Sequence, residues 1–203
     1  MVIAIEGLPG LGKTTSALLL AQRLDAPVTC EATAHHPFLD SVYRDDARYD
    51  LEVELGFLLL HSSAWRRLDR AVHNVTDFAP YKDVLFADDM LQDADEHRVF
   101  MAVYDRLYAG FSAPDVVVYL KGDPELALVR ARARGREFEQ GLTYDRLARM
   151  KRRYEERLPR LGKRCFQLEL DPLLECAQTL DESTAHVADA IARLLDRHGA
   201  LPE

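Results

Sequence analysis

G-L-P-G-L-G-K-T, Gly7 to Thr14, follows the apolar run Val2 to Ile5 and leads into an Ala/Leu-rich segment, Ser16 to Leu24. It fits G-x-x-x-x-G-K-[ST], and strand, glycine loop, helix is the order in which that pattern becomes a phosphate site. Gly7, Gly10 and Gly12 let the backbone curl so that successive N–H groups aim at phosphate oxygens, and the following helix adds the positive end of its dipole. The expected nucleotide-binding residues are Gly7, Leu8, Pro9, Gly10, Leu11, Gly12, Lys13, Thr14 and Thr15. Lys13 is placed to bridge the β- and γ-phosphates, and the Thr14 hydroxyl to hold magnesium. ATP and Mg2+ are the implied cofactors. The loop does not say what receives the phosphate.

The rest of the chain narrows the field. Its 203 residues predict a single domain over 1–203 with a short lid near 130–140. A formal net charge of −8 argues against a non-specific nucleic-acid binder. The three cysteines, Cys30, Cys165 and Cys176, are far apart and suit a reducing cytosol. The first apolar run lacks a basic flank and cleavage site, and Leu55 to Leu60 is too short to span a bilayer. The expectation is a cytoplasmic protein without a membrane partner.

Apolar runs at Val2–Ile5, Pro27–Cys30, Ala71–Val75, Val116–Leu120 and Cys165–Leu170 read as buried parallel strands. Helical spacing covers Ala47–Arg70, Asp83–Leu91, Asp95–Ala109, Pro124–Ala133, Tyr144–Leu158 and Ser183–Arg197. The alternation predicts an α/β fold, a five-stranded parallel sheet flanked by helices, with chemistry beyond the carboxyl ends of the strands. Glu31 and Asp77 stand at such ends. Glu31 is placed to face the γ-phosphate and take a hydroxyl proton, or is a solvated loop acid. Asp77 reads equally as a magnesium-side acid or a turn Asp. Asp83, Asp88 and Asp89 read as helix-start and surface charges. R-A-R-A-R-G-R, Arg130 to Arg136, spreads its guanidinium groups around a helix interrupted by Gly135, which suits a lid that brings arginines to phosphates.

In their joint order these segments resemble the deoxynucleoside kinases of the P-loop superfamily. The likeness is carried by the glycine loop, Glu31, H-P-F-L-D-S-V-Y-R-D (His36 to Asp45), L-E-V-E-L-G-F-L-L-L-H, T-D-F-A-P-Y-K-D-V-L-F-A and R-A-R-G-R-E-F-E-Q. It implies the P-loop kinase fold with an arginine-rich lid, and a homodimer. Glu31 then matches the carboxylate that deprotonates the sugar 5′-hydroxyl, with Lys13, Arg134 and Arg136 as the other catalytic residues. Tyr43 and Glu139 match the groups that hold the 3′-hydroxyl, and Arg134, Arg136 and Arg130 the lid arginines that meet ATP. His61 stands where relatives often carry an arginine paired to an acid matching Asp83, which leaves a His61–Asp83 contact in the base pocket open. Phe57, Phe78 and Lys82 join the substrate side, whereas Phe86 matches a core face. The Arg-rich helix after the lid reads as structural.

There are departures. After the third strand most relatives carry an acid, an arginine and a serine, whereas this chain reads Asp77-Phe78-Ala79. Lys82 supplies the missing charge if it turns inward. Where relatives place a base-reading glutamine, this chain has Glu54, eleven residues after Tyr43. An ionised carboxylate only accepts, which suits the adjacent N1–H and N2–H of guanine. A helix shift would bring Glu52 inward instead, and a protonated Glu54 would behave like glutamine. The expected activity is ATP-dependent phosphorylation of a purine deoxynucleoside, deoxyguanosine favoured. A deoxyadenosine or deoxycytidine kinase, a nucleoside monophosphate kinase and a regulatory nucleotide-binding module follow in that order. The monophosphate kinase would need a cation for the acceptor phosphate, for which only Arg44 and Arg48 are candidates.

Overall fold

The computed structural model describes residues 1–38, 41, 47–136, 139, 141–170 and 180–200. Tyr43, Arg44 and Cys176 lie outside the described residues. In chain order the elements are β1 (Val2–Gly7), α1 (Lys13–Arg23), β2 (Val28–Thr29), α2 (Asp50–Arg66), β3 (Asn74–Thr76) and α3 (Tyr81–Met90). After them come α4 (Ala94–Tyr108), β4 (Val116–Lys121), α5 (Pro124–Arg134), α6 (Tyr144–Arg157), β5 (Arg164–Glu169) and α7 (Leu180–Arg197). The strands form one parallel sheet in the order β2-β3-β1-β4-β5. Every residue of β1 is buried, as a central strand covered on both faces requires. Its Ile3 pairs with Val75 on one side and Val116 on the other. Among the described residues no helix is long and apolar enough to cross a membrane.

The main core joins β1 and β4 to the inner faces of α1, α5, α6 and α7. A second apolar group, Leu58, Ala87, Leu91 and Phe100, lies where α2, α3 and α4 meet. Local chemistry sets several boundaries. Asp93 caps α4 through the amides of Asp95 and Glu96, and Asp123 caps α5 ahead of Pro124. Gly135 ends α5 in the left-handed region, φ 70°.

Two boundaries correct the sequence reading. The third strand, expected over Ala71–Val75, is Asn74–Thr76. Asp69 accepts from the Ala71 amide, and Asn74 Nδ2 donates to the carbonyls of Asp69 and Val72, so this stretch turns instead of pairing. Helix α3 begins at Tyr81, two residues before the expected Asp83, because Pro80 already has helical angles (φ −52°, ψ −40°). That earlier start places Lys82 and Asp83 in the first helical turn, beside the end of β3.

The short turn Thr33–His35 leads to His36, which is latched to α2. His36 Nε2–H donates to the Val53 carbonyl (2.8 Å), Nδ1 accepts from the Phe38 amide, and the ring lies 4.1 Å from that of Phe57. Burial holds this imidazole below its usual pKa. A Cβ on Gly56 would stand 2.4 Å from His36 Nε2. Gly56→Ala should therefore destabilise the protein by about 1–3 kcal/mol from overpacking, against a helix-propensity gain of about 1 kcal/mol or less. A urea midpoint that rises in the variant would contradict the latch.

Candidate active site

The carboxyl ends of β1, β2 and β3 deliver Glu6 with the glycine loop, then Glu31, then Asp77. Gly10 (φ 88°) and Gly12 (φ 83°) are left-handed, and a Cβ on Gly10 would meet the Ala127 carbonyl oxygen at 2.2 Å. The loop is thus both tight and pressed against α5, a fit that only glycine allows. Gly12 stands at the start of α1 with no side-chain cap, which leaves the first amides of that helix to a ligand. Leu8 and Leu11 point into the core, so only their backbone can serve phosphate. Lys13 Nζ donates to the Leu8 carbonyl, and burial together with the Lys82 charge pulls its pKa down to about 8.

Asp77 ties the site together. Its Oδ2 accepts from Thr14 Oγ1 at 2.5 Å and its Oδ1 from the Glu31 amide at 2.7 Å. A hydroxyl and a carboxylate side by side at the loop suit Mg2+, which takes few protein ligands and keeps much of its water. Among the described residues no cluster of three or more His, Cys, Asp or Glu forms a dedicated metal cage.

Behind the loop, the fully buried Glu6 accepts from the Ala79 amide (2.5 Å) and the Tyr154 hydroxyl (2.9 Å). It thereby pins the turn Asp77-Phe78-Ala79. Burial drives its pKa up to about 7, against the pull of the Lys82 and Lys13 charges.

Lys82 turns inward. Its Nζ lies 2.5 Å from Glu31 Oε1 and 5.5 Å from the Phe86 ring centroid. Despite burial, the Glu31 charge holds the Lys82 ammonium above its ordinary pKa. His61 Nε2 approaches the same Glu31 oxygen at 3.0 Å, while His61 Nδ1 lies 2.5 Å from Asp83 Oδ1. The second contact is the well-formed hydrogen bond; the first has ion-pair distance without good hydrogen-bond alignment. Burial opposes ionisation of Glu31, yet the Lys82 and His61 charges hold its carboxyl well below the usual range. Asp83 is 3% exposed and lines the cleft, so the surface-charge reading is corrected, while the His61–Asp83 contact that the resemblance left open is formed; the Tyr108 hydroxyl completes its bonds.

Phe78 is a further correction. It was placed on the substrate side, but it is fully buried among Val2, Ala64, Trp65 and Leu68. Its ring stacks on His61, with 4.6 Å between centroids. An apolar side chain at this position joins the core, whereas an arginine would be driven toward the charges.

From this corner an open cleft runs onward. Gly10, Gly12, Lys13 and Thr14 line one end; Val53, Glu54, Phe57, Phe86 and Met150 line the rest. Glu54 points in and Glu52 out, which settles the helix register. Glu54 is 3% exposed and has no hydrogen-bond partner among the described residues. Burial, then the Asp83 charge, pushes its pKa up to about 8.

The lid residues also reach this cleft. Arg134 Nε donates to Glu139 Oε2 (3.2 Å) and its Nη2 pairs with Oε1, while Arg136 comes within 3.8 Å of Oε1. Arg130 Nε donates to the Gly10 carbonyl at 3.1 Å. Thr15 is exposed and is not among the residues lining the cleft.

Sequence reasoning missed Arg146 and Phe86, both of which line the cleft. Arg146 stands in the first turn of α6, capped by Thr143, and its Nη2 rests 3.1 Å from Met90 Sδ. The cap could have fixed the helix start, but nothing local shows which arginine of the run faces inward. Asp88 and Asp89 pair with Arg157, Arg149 and Arg153 and so anchor α6 to α3.

Residues 3–194 match the deoxynucleoside kinase family. A deoxyguanosine kinase of Bacillus subtilis is 29% identical over 164 residues, covering 78% of this chain and 79% of that protein. A deoxyadenosine/deoxycytidine kinase of the same organism is 28% identical, covering 76% and 75%. The solved structure of a deoxyadenosine kinase from M. mycoides superposes with a TM-score of 0.78 at 19% identity, covering 97% of this chain and 99% of that one, a likeness of fold.

The buried acids make stability depend on pH. The folded pKa values of Glu54 and Glu6 lie above the ordinary 4.5, and that of His61 lies above 6.5. The folded state therefore holds more protons than the unfolded chain, and stability falls as pH rises through these values. His36, held below its usual pKa, opposes this trend around and below pH 6.5, and the lowered Lys13 only above pH about 8, so the three raised groups dominate the window. The melting temperature of the ligand-free protein should fall between pH 5 and 8, and Glu54→Gln should flatten the decline. A wild-type melting temperature that rises across this window would contradict the burial of these groups.

Proposed function

The chain belongs to the deoxynucleoside kinase family, and we propose that it transfers the γ-phosphoryl group of ATP to the 5′-hydroxyl of a purine deoxynucleoside, deoxyguanosine first. One observation carries this reading. One cleft is lined by the phosphate loop, by Glu31, and by the buried Glu54 with the apolar Val53, Phe57 and Phe86. Bound ATP with Mg2+ supplies the transferable group and neutralises phosphate charge. The protein positions what reacts. The loop amides and Lys13 hold the phosphates, and Thr14 and Asp77 present oxygens to the metal. Arg134 and Arg136 exchange Glu139 for phosphate oxygens, leaving Glu139 to the sugar 3′-hydroxyl. The 5′-oxygen forms its bond to phosphorus as the β,γ-bridging bond breaks, and the hydroxyl proton passes to Glu31. Phe57 and Phe86 bound the base laterally.

Ionised Glu54 accepts from both N1–H and N2–H of guanine, and Arg146 offers donors in the same cleft. Adenine would set its N1 lone pair against that carboxylate, a mismatch of about 1–3 kcal/mol, or about 5- to 150-fold. Protonated Glu54 donates and accepts, which suits adenine. Burial raises its pKa to about 8, so the empty site holds the proton below that pH, where deoxyadenosine is favoured as a second substrate. Guanine binding should expel the Glu54 proton and adenine binding should keep it. The groups that bear on this equilibrium are Asp83, Arg146, Asp50 and His61.

The test is kcat/KM with ATP for deoxyguanosine, deoxyadenosine, deoxycytidine and thymidine at pH 6.5 and 9, for wild type and Glu54→Gln. The ratio of deoxyguanosine to deoxyadenosine cancels titrations common to both, such as that of Lys13. It should rise with pH in the wild type, and fall by about 5- to 150-fold and lose its slope in the variant. A pH-independent wild-type preference for deoxyadenosine or deoxycytidine would remove Glu54 as the reader. Nucleoside-independent ATP hydrolysis with no phosphorylated nucleoside would overturn the kinase reading.

A further inference from the structure

His61 faces two carboxylates, Asp83 through Nδ1 and Glu31 through Nε2. A neutral imidazole carries one N–H and would turn a lone pair toward one of them; only the imidazolium presents an N–H and positive charge to both. The ring has little freedom to leave. It is 2% exposed, with Phe78 stacked 4.6 Å away on an 18° tilt and Phe57 at 5.8 Å. Asp83 is itself fixed, because Tyr108 occupies its other oxygen.

We infer that His61 is the positioning residue of Glu31: as an imidazolium anchored by Asp83, it joins Lys82 at Oε1 and leaves Oε2 to meet the acceptor hydroxyl. The inference rests on reading Glu31 as the group that receives the 5′-hydroxyl proton. Both cations contact Oε1, and Oε2 has no partner among the described residues. Lys82 alone is a flexible point charge, free to follow the carboxylate through several rotamers. The stacked ring gives the pair a fixed direction. It also links the ends of the cleft, since Asp83 and His61 border the base pocket and Glu31 borders the phosphates.

The charged and titratable groups around the ring are Asp83 and Lys82 of α3, Glu31 after β2, Glu54 of α2, His36 and, through Asp83, Tyr108 of α4. Burial disfavours the imidazolium, but the two carboxylates raise its pKa to about 10. The ring should therefore lose its second proton only in strongly alkaline solution, and kcat should fall there.

The first measurement is the 15N spectrum of the wild-type imidazoles at pH 8, in which His61 should carry protons on both nitrogens. The second is the pH dependence of kcat for wild type, His61→Gln and His61→Arg, with Glu31→Gln as control. His61→Gln should lower kcat by about 10- to 100-fold, a misplacement-sized loss, shift KM for the nucleoside by less than about threefold, and remove the limb near pH 10 while leaving that of Lys13. His61→Arg, a permanent two-sided donor, should recover much of kcat and move the limb upward. A singly protonated ring at pH 8, or a His61→Gln enzyme with wild-type kcat and pH profile, overturns the inference. If Glu31→Gln is inactive in that case, the reading of Glu31 stands and the role of His61 alone fails. An active Glu31→Gln enzyme overturns the underlying reading and the inference with it.

Discussion

Glu31 Oε1 is shared by two buried cations, and the rest of the site is arranged to make that possible. An isolated charge taken from water into a protein interior is strongly unfavourable, and it persists only when paired and hydrogen-bonded. Here Lys82 and His61 oppose Glu31 and Asp83, while Asp77 and Glu6 lie close enough to be felt by the lysines. The cluster is a network, and each member's ionisation depends on the others. Glu6 shows the limit: with neutral hydrogen-bond donors as its direct partners, its carboxyl rises to about 7.

The backbone accounts for how the charges meet. Parallel β1, β2 and β3 end at one edge of the sheet, so Glu6, Glu31 and Asp77 arrive together. Glu6 and Thr76 pin the turn after β3, Thr76 Oγ1 donating to the Phe78 carbonyl at 2.7 Å. Pro80 then starts α3 early enough for neighbouring residues to serve different partners, Lys82 reaching Glu31 and Asp83 reaching His61. Phe78 forms the apolar wall behind His61, while Lys82, from the next helix, brings its charge to Glu31.

The sheet, the glycine loop and the order of the helices were legible in the sequence because each rests on local pattern: β-branched runs, glycines at fixed offsets, and 3.6-residue periodicity. Glu31 and Asp77 were legible because strand ends in a parallel sheet face the ligand. Lys82 was legible only as a conditional, since its direction depends on where α3 begins. Asp83 looked like an ordinary helix-start acid; its burial follows from long-range packing of α2 and α4 against α3. Arg146 was hidden among like residues for the same reason. Phe78 was misplaced because its position carried an expectation inherited from arginine, whereas its own chemistry takes it into the core.

Lys82 lies 2.5 Å from Glu31 Oε1, and its removal tests whether that charge holds Glu31 ready for the acceptor hydroxyl. The direct test is kcat for nucleoside phosphorylation in Lys82→Met and Lys82→Arg, with folding checked by urea denaturation. The folded methionine variant should lose about 100-fold or more in kcat, the scale of a removed electrostatic contact, and the arginine variant should retain most of it. A folded Lys82→Met enzyme with kcat within about threefold of wild type, far short of that loss, would contradict it.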